Sequence, residues 1–215
     1  GAGPRHPCGM ADEPVLILAH GQPSDPAPAA AALAEFAGRV AALMPGREVL
    51  SATLAEPGAL ERAVAGRDGG RVYPMFMAGG WFTKVQVPKK LAAAKAMGWQ
   101  VLEPFGCDPA VHELCIELAR ASGARELILA AHGSSRSPVP SDIAVHVAQR
   151  IAAETGIARV AVGFIDQAPQ IETLLGFGEG AACLPFFAAE GGHVTEDLPN
   201  ALRKAGFRGR ILPPV

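Results

Sequence analysis

Two histidines in the C-terminal part of this chain sit in surroundings suited to metal chemistry. His132 lies in "AAHGSSRSP" and His193 in "PFFAAEGGHVTEDLP". A neutral imidazole offers one ring-nitrogen lone pair. Two that converge can hold a divalent first-row ion and leave coordination positions open. Gly133 and the Gly191-Gly192 pair permit tight turns or close approach of a ligand to the backbone. Ser134 and Ser135 add hydroxyls, and Arg136 adds a planar fork matched to a carboxylate. Each residue also has a plainer reading. A histidine at the end of a strand often bonds a neighbouring backbone group, and a histidine before a helix is often a surface residue. Glu190 and Glu196 flank the second stretch, as proton relays or as ordinary solvated acids.

An internal repeat bears on that choice. "VLILAHG" (Val15 to Gly21) matches "LILAAHG" (Leu127 to Gly133), with His20 and His132 separated by 112 residues. "VLSATLAEP", ending at Pro57, matches "VAVGFIDQAP", ending at Pro169, at the same offset of 112. "PMFMAGGWFTKVQVP" (Pro74 to Pro88) matches Pro185 to Pro199 at an offset of 111. "WQVLEPF" matches "GRILPPV". Repeats fix architecture, so the chain is read as two homologous halves, residues 11–123 and 124–215. The first copy has Phe82 where the second has His193. It also has Gln22 where the second has Ser134.

Each half reads as strand–loop–helix–strand–helix–strand–loop–helix–strand. The strands are short continuous apolar runs such as "LILAA" and "VAVGFI", which suit a parallel sheet buried on both faces. Leu33, Phe36, Val40 and Leu43 recur at helical spacing, as do Ile143, Val147 and Ile151. The expected fold class is α/β, with two small parallel sheets flanked by helices and related by a pseudo-twofold axis. Ligands of such sheets bind beyond the carboxyl ends of the strands. The HG and GG loops leave those ends and are expected to rim a crevice between the halves, with His20 facing it too. Asp197 or Leu198 is expected to cap a helix with Pro199 in its first turn. Val111, Leu114, Cys115 and Leu118 form a helix face after Phe105. The second half reaches Val215 where the equivalent helix should begin, so it is either truncated or manages without one. His112 and His146 fall on polar helix faces.

Composition excludes several classes. The 215 residues are 49% hydrophobic and 19% charged, with a net charge of −2. That balance gives no electrostatic drive towards nucleic acid or an anionic membrane. No apolar run approaches the ~20 residues of a membrane span. Four cysteines without CxxC spacing suggest a reduced, cytoplasmic setting. Met10 is read as the natural start, with a leader before it. A phosphoryl-transfer role for the HG histidines is weak: no arginine precedes them, and no glycine-rich loop with a lysine cradles phosphate.

"AHGSSRSP" together with "PFFAAEGGHVTEDLP" resembles the signature of the sirohydrochlorin cobalt/iron chelatases, the ATP-independent class II tetrapyrrole chelatases. The resemblance covers nearly the whole chain, since the first half looks like a second copy of the same unit. It implies that His132 and His193 are the catalytic, metal-handling residues. It further implies a cytoplasmic enzyme, monomeric or homodimeric, that inserts Co2+, Fe2+ or Ni2+ as a substrate, with no nucleotide. The product would be a metallated tetrapyrrole of the cobalamin, siroheme or haem routes. Ser134, Ser135 and Arg136 would receive substrate carboxylates, with Lys84, Lys89 and Lys90 as further donors or as a solvated helix face. Trp81 and Phe82 would form an aromatic wall for the flat macrocycle, or else pack as an ordinary interface. The first half departs from the pattern at Gln22 and Phe82, which keeps a second class open: a metal or tetrapyrrole carrier without turnover. Neutral imidazole is the ligand form, and an unperturbed histidine titrates near 6.5, so metal affinity is expected to fall below about pH 6.

Overall fold

The computed structural model describes residues 13–80, 82–188 and 193–215, with the backbone alone for Phe82, His193 and Val194. The chain divides into two compact units. One holds residues up to Phe76 together with Gly80–Pro104, and the other holds Met77–Gly79 together with Phe105–Val215.

In the first unit the strands are β1 (Val15–Ala19), β2 (Val49–Thr53), β3 (Gly70–Pro74) and β4 (Trp99–Val101). They pair in the order β2-β1-β3-β4, all parallel. The helices are α1 (Pro26–Leu43), α2 (Ala59–Val64) and α3 (Val87–Ala93). Leu16, Leu18, Ala52, Val72, Val87 and Leu91 form its core. The helical stripe on α1 is only half-buried at Leu33, Phe36 and Val40. Leu43, the helix's last residue, is 83% exposed.

In the second unit the strands are β5 (Glu126–Ala131), β6 (Arg159–Phe164), β7 (Ala181–Pro185) and β8 (Arg210–Ile211), again parallel, in the order β6-β5-β7-β8. Its helices are α4 (Pro109–Ala121), α5 (Val139–Glu154) and α6 (Leu198–Lys204). Apolar residues on β5 alternate between two cores. Leu127 and Leu129 join one face, Ile128 and Ala130 the other, as expected for a strand buried on both sides.

The structure differs from the expected 11–123 and 124–215 halves at α4. Its Val111, Cys115, Ile116 and Ala119 pack into the same core as β5 and α5. The segment from Phe105 therefore belongs to the second compact unit. One face of the second sheet is covered by a helix that precedes it in sequence. Asp108 caps α4 by accepting from the Ala110 amide at 2.9 Å.

The strand order places a topological switch point in each sheet. From β5 the chain moves outward to β6, then returns to the other side of β5 as β7. The loops leaving β5 and β7 therefore part at the carboxyl edge of neighbouring strands, the place where open α/β sheets bind ligands. The loops after β1 and β3 stand in the same relation in the first sheet.

Candidate metal site

His132 is the first residue past β5, and two polar groups flank its ring. Nδ1 lies 3.0 Å from the carbonyl oxygen of Gly133. With Nδ1–H donating there, the lone pair rests on Nε2 and points away from the loop. Nε2 lies 3.4 Å from Oδ2 of Asp166. The two side chains are 35% and 51% exposed, so a solute can reach the pair. The backbone sets this meeting, since the Asp166 amide donates to the His132 carbonyl at 2.9 Å and extends the β5–β6 ladder by one residue. Two donors ~2.1 Å from a tetrahedral ion lie about 3.4 Å apart, so this spacing matches two ligands of one metal. Nitrogen and carboxylate oxygen donors suit a divalent first-row ion.

Asp166 was not singled out from the sequence. The signal was there, inside "VAVGFIDQAP". In the first sheet the amide that bonds the His20 carbonyl, at 2.9 Å, belongs to Ala55. Alanine thus holds the backbone position by His20 that aspartate holds by His132.

The loop after His132 is held tightly. Gly133 has φ +73°, and a Cβ there would come within 2.7 Å of Cγ of Gln167. Glycine is needed both for the left-handed turn and for the space. Ser134 Oγ accepts from the amides of Arg136 at 3.1 Å and Ser137 at 3.3 Å, so this hydroxyl organises the loop. Ser135 and Arg136 are exposed.

His193 opens a π-helical turn, His193–Asp197, that runs directly into α6. Asp197 is therefore inside a continuous helix with helical dihedrals and makes no side-chain cap, contrary to the expected cap, and Pro199 is the second residue of α6. The matching turn in the first unit, Phe82–Gln86, runs into α3 in the same way. π-helical turns recur at functional sites. Here the turn is common to both copies, while the imidazole is present in one. Trp81 and Glu190 lie outside the described residues, as do the side chains of Phe82 and His193. Among the described residues no group of three or more His, Cys, Asp or Glu side chains is assembled for a metal.

His20 has a different setting. Its ring stacks on Phe76 with centroids 4.2 Å apart and planes 28° apart. Desolvation there lowers its pKa below the usual histidine value, although part of the ring surface stays exposed. His112 bonds the Gly106 carbonyl at 2.7 Å and meets His146 edge-on at 5.8 Å, between α4 and α5. Lys84, Lys89 and Lys90 are exposed. Cys115 and Cys183 are buried, which pushes both thiols up to about 12, so neither supplies a thiolate near neutrality. No helix among the described residues is long and apolar enough to cross a membrane.

Two parallel four-stranded sheets flanked by helices make up the chelatase fold. It is shared with SirB from Bacillus subtilis solved with Fe3+, at 16% identity and TM-score 0.71, covering 94% of this chain and 88% of that one. It is also shared with the sirohydrochlorin chelatase SirB of B. subtilis subspecies spizizenii in complex with cobalt, at 17% identity and TM-score 0.65, covering 94% and 87%. A family model, CbiX, matches residues 126–210. The solved structure of CbiX, described as the terminal enzyme for biosynthesis of siroheme in denitrifying bacteria, is 47% identical, with TM-score 0.84, over 94% of this chain and 91% of that one. The chain belongs to the CbiX family. No match was found among curated proteins.

Proposed function

We propose that this protein is a metal chelatase that inserts Co2+ or Fe2+ into a tetrapyrrole of the sirohydrochlorin class. The observation that carries the reading is the His132–Asp166 pair, two metal donors 3.4 Å apart where β5 and β6 end in a CbiX-family sheet. Insertion exchanges two pyrrole N–H protons for one divalent ion. His132 Nε2 and Asp166 Oδ2 hold the incoming ion with positions open to the ring nitrogens. His193, at the start of the π-helical turn beyond β7, supplies the second imidazole as ligand or as the base that takes a pyrrole proton. Ser135 and Arg136 receive substrate carboxylates, while Ser134 shapes the loop that presents them. Trp81 and Phe82 supply an aromatic wall for the macrocycle. The reaction needs no nucleotide, since ring-nitrogen coordination drives release of the ion. The enzyme acts in the cytoplasm as a monomer or homodimer, and Ni2+ is a further candidate substrate.

An anaerobic panel of sirohydrochlorin and protoporphyrin against Co2+, Fe2+ and Ni2+, followed by absorbance, tests this. Catalysed insertion into sirohydrochlorin is the expected result. Tight binding of metal and tetrapyrrole without acceleration over the uncatalysed rate would make the protein a carrier instead.

A further inference from the structure

We propose that Gln167 is a positioning residue that latches the His132 loop in its metal-competent form; the inference rests on the functional reading above. Gln167 follows Asp166 on the segment leaving β6, 33 residues from the loop it touches. Its Oε1 accepts the Ser134 amide at 2.8 Å. Its aliphatic stem lies over Gly133, where a Cβ would approach Cγ to 2.7 Å. One side chain therefore grips the two residues after His132, one by a hydrogen bond and one by packing.

The grip matters because of what Gly133 does for the histidine. The Gly133 carbonyl takes the Nδ1 contact that sets the tautomer and orientation of the ring. Rotation of the Gly133–Ser134 peptide would carry that carbonyl away from Nδ1. The Ser134 amide belongs to the same peptide unit as the Gly133 carbonyl, and peptide planarity makes them move together. Holding the amide on Gln167 therefore holds the carbonyl on His132.

The first sheet offers a comparison. Gly21 adopts nearly the same φ, +74°. At the position one past Ala55, however, stands Glu56, which is turned to Arg62 of α2 at 3.4 Å. Gly21 is instead packed by Thr53 and Ala55, whose Cβ atoms a Cβ on Gly21 would approach to 2.8 and 3.0 Å. What is particular to the second copy is the hydrogen bond from the Ser134 amide to Gln167, in the half that carries Asp166 and His132.

Two substitutions separate the two grips. Gln167→Met keeps a side chain of similar length over Gly133 and removes the acceptor. Gln167→Glu keeps an acceptor oxygen. Three quantities are read on the full chain: hydrogen exchange of the Ser134 amide by NMR, Co2+ affinity, and kcat and KM for Co2+ insertion into sirohydrochlorin. Gln167→Met is expected to speed Ser134 exchange and to weaken Co2+ binding and lower kcat by about tenfold each, with KM for the tetrapyrrole held within about twofold. Gln167→Glu is expected to recover Ser134 protection and most of kcat. Unchanged Ser134 exchange in Gln167→Met would overturn the latch. Faster exchange with wild-type kcat and Co2+ affinity would show that the latch does not serve His132. A loss confined to KM would mean that Gln167 touches the substrate directly, and would also overturn the proposal. Exchange and Co2+ affinity need no turnover, so they decide the proposal even if wild-type protein inserted no metal, a result that would sink the functional reading alone.

Discussion

His20 and His132 hold the same place in their two sheets and have opposite neighbours. His132 faces the Asp166 carboxylate at 3.4 Å, whereas His20 lies on the Phe76 ring. The first setting invites a cation and the second disfavours charge. Replacing Asp166 with Asn keeps the shape and removes the anion, so Co2+ affinity should fall by about 10- to 100-fold. Isothermal titration measures this, and unchanged affinity would place the ion elsewhere. For His20 the sign runs through stability. Its folded-state pKa is lowered by desolvation, so the unfolded chain binds its proton more readily. Its contribution is intact above about pH 6.5, the unfolded value, and declines as pH drops through the folded value. Urea midpoints between pH 7.5 and 5 should therefore fall less steeply in His20→Phe than in the wild type. An identical slope would show that His20 is not the desolvated group. The histidines themselves were legible in the sequence because glycine turns and the repeat frame mark them. Asp166 was not, because its significance lies in a cross-strand meeting between segments 34 residues apart. The repeat comparison that isolated His193 against Phe82 would have isolated Asp166 as well, since an apolar residue stands at its place in the first copy.

Helix α4 shows the limit of the same reasoning at the scale of elements. Its stripe at Val111, Leu114, Cys115 and Leu118 was readable as a helix face, although Leu114 is exposed and Ile116 is buried in the structure. Which sheet that face covers is decided by contacts distant in sequence, and α4 joins the core containing Leu127, Leu129 and Val147. Ile116 on α4 is 2% exposed. Truncating it to Ala should remove about 2–4 kcal/mol from the unit built on the second sheet. Hydrogen exchange resolved by segment checks this: protection should drop in β5 and α5 and be kept in β1 and β3. A drop in β1 and β3 instead would return α4 to the first unit. The strands and their parallel sense followed from apolar runs alternating with helices, while the order of strands in each sheet did not. The π-helical turns did not, because "GGWFT" and "GGHVT" carry no periodicity that separates a wide turn from a loop. Both turns precede a helix with proline at its second position, Pro88 in α3 and Pro199 in α6.

Across the whole chain, two copies of one parallel-sheet unit have kept their frame and diverged at their strand ends. The copy formed by β5 to β8 carries His132, Asp166 and His193. The other has His20 with Ala55 and Phe82 at the matching positions. This asymmetry accords with the proposal that the unit carrying His132 and Asp166 handles the ion. The account stands or falls on where the metal goes. Crystals of the protein soaked anaerobically with Co2+ and measured on either side of the cobalt absorption edge would locate it directly. The account predicts an anomalous peak about 2.1 Å from His132 Nε2 and within bonding reach of Asp166 Oδ2. A peak at His20 or at the His112–His146 pair, with none at His132, would contradict it.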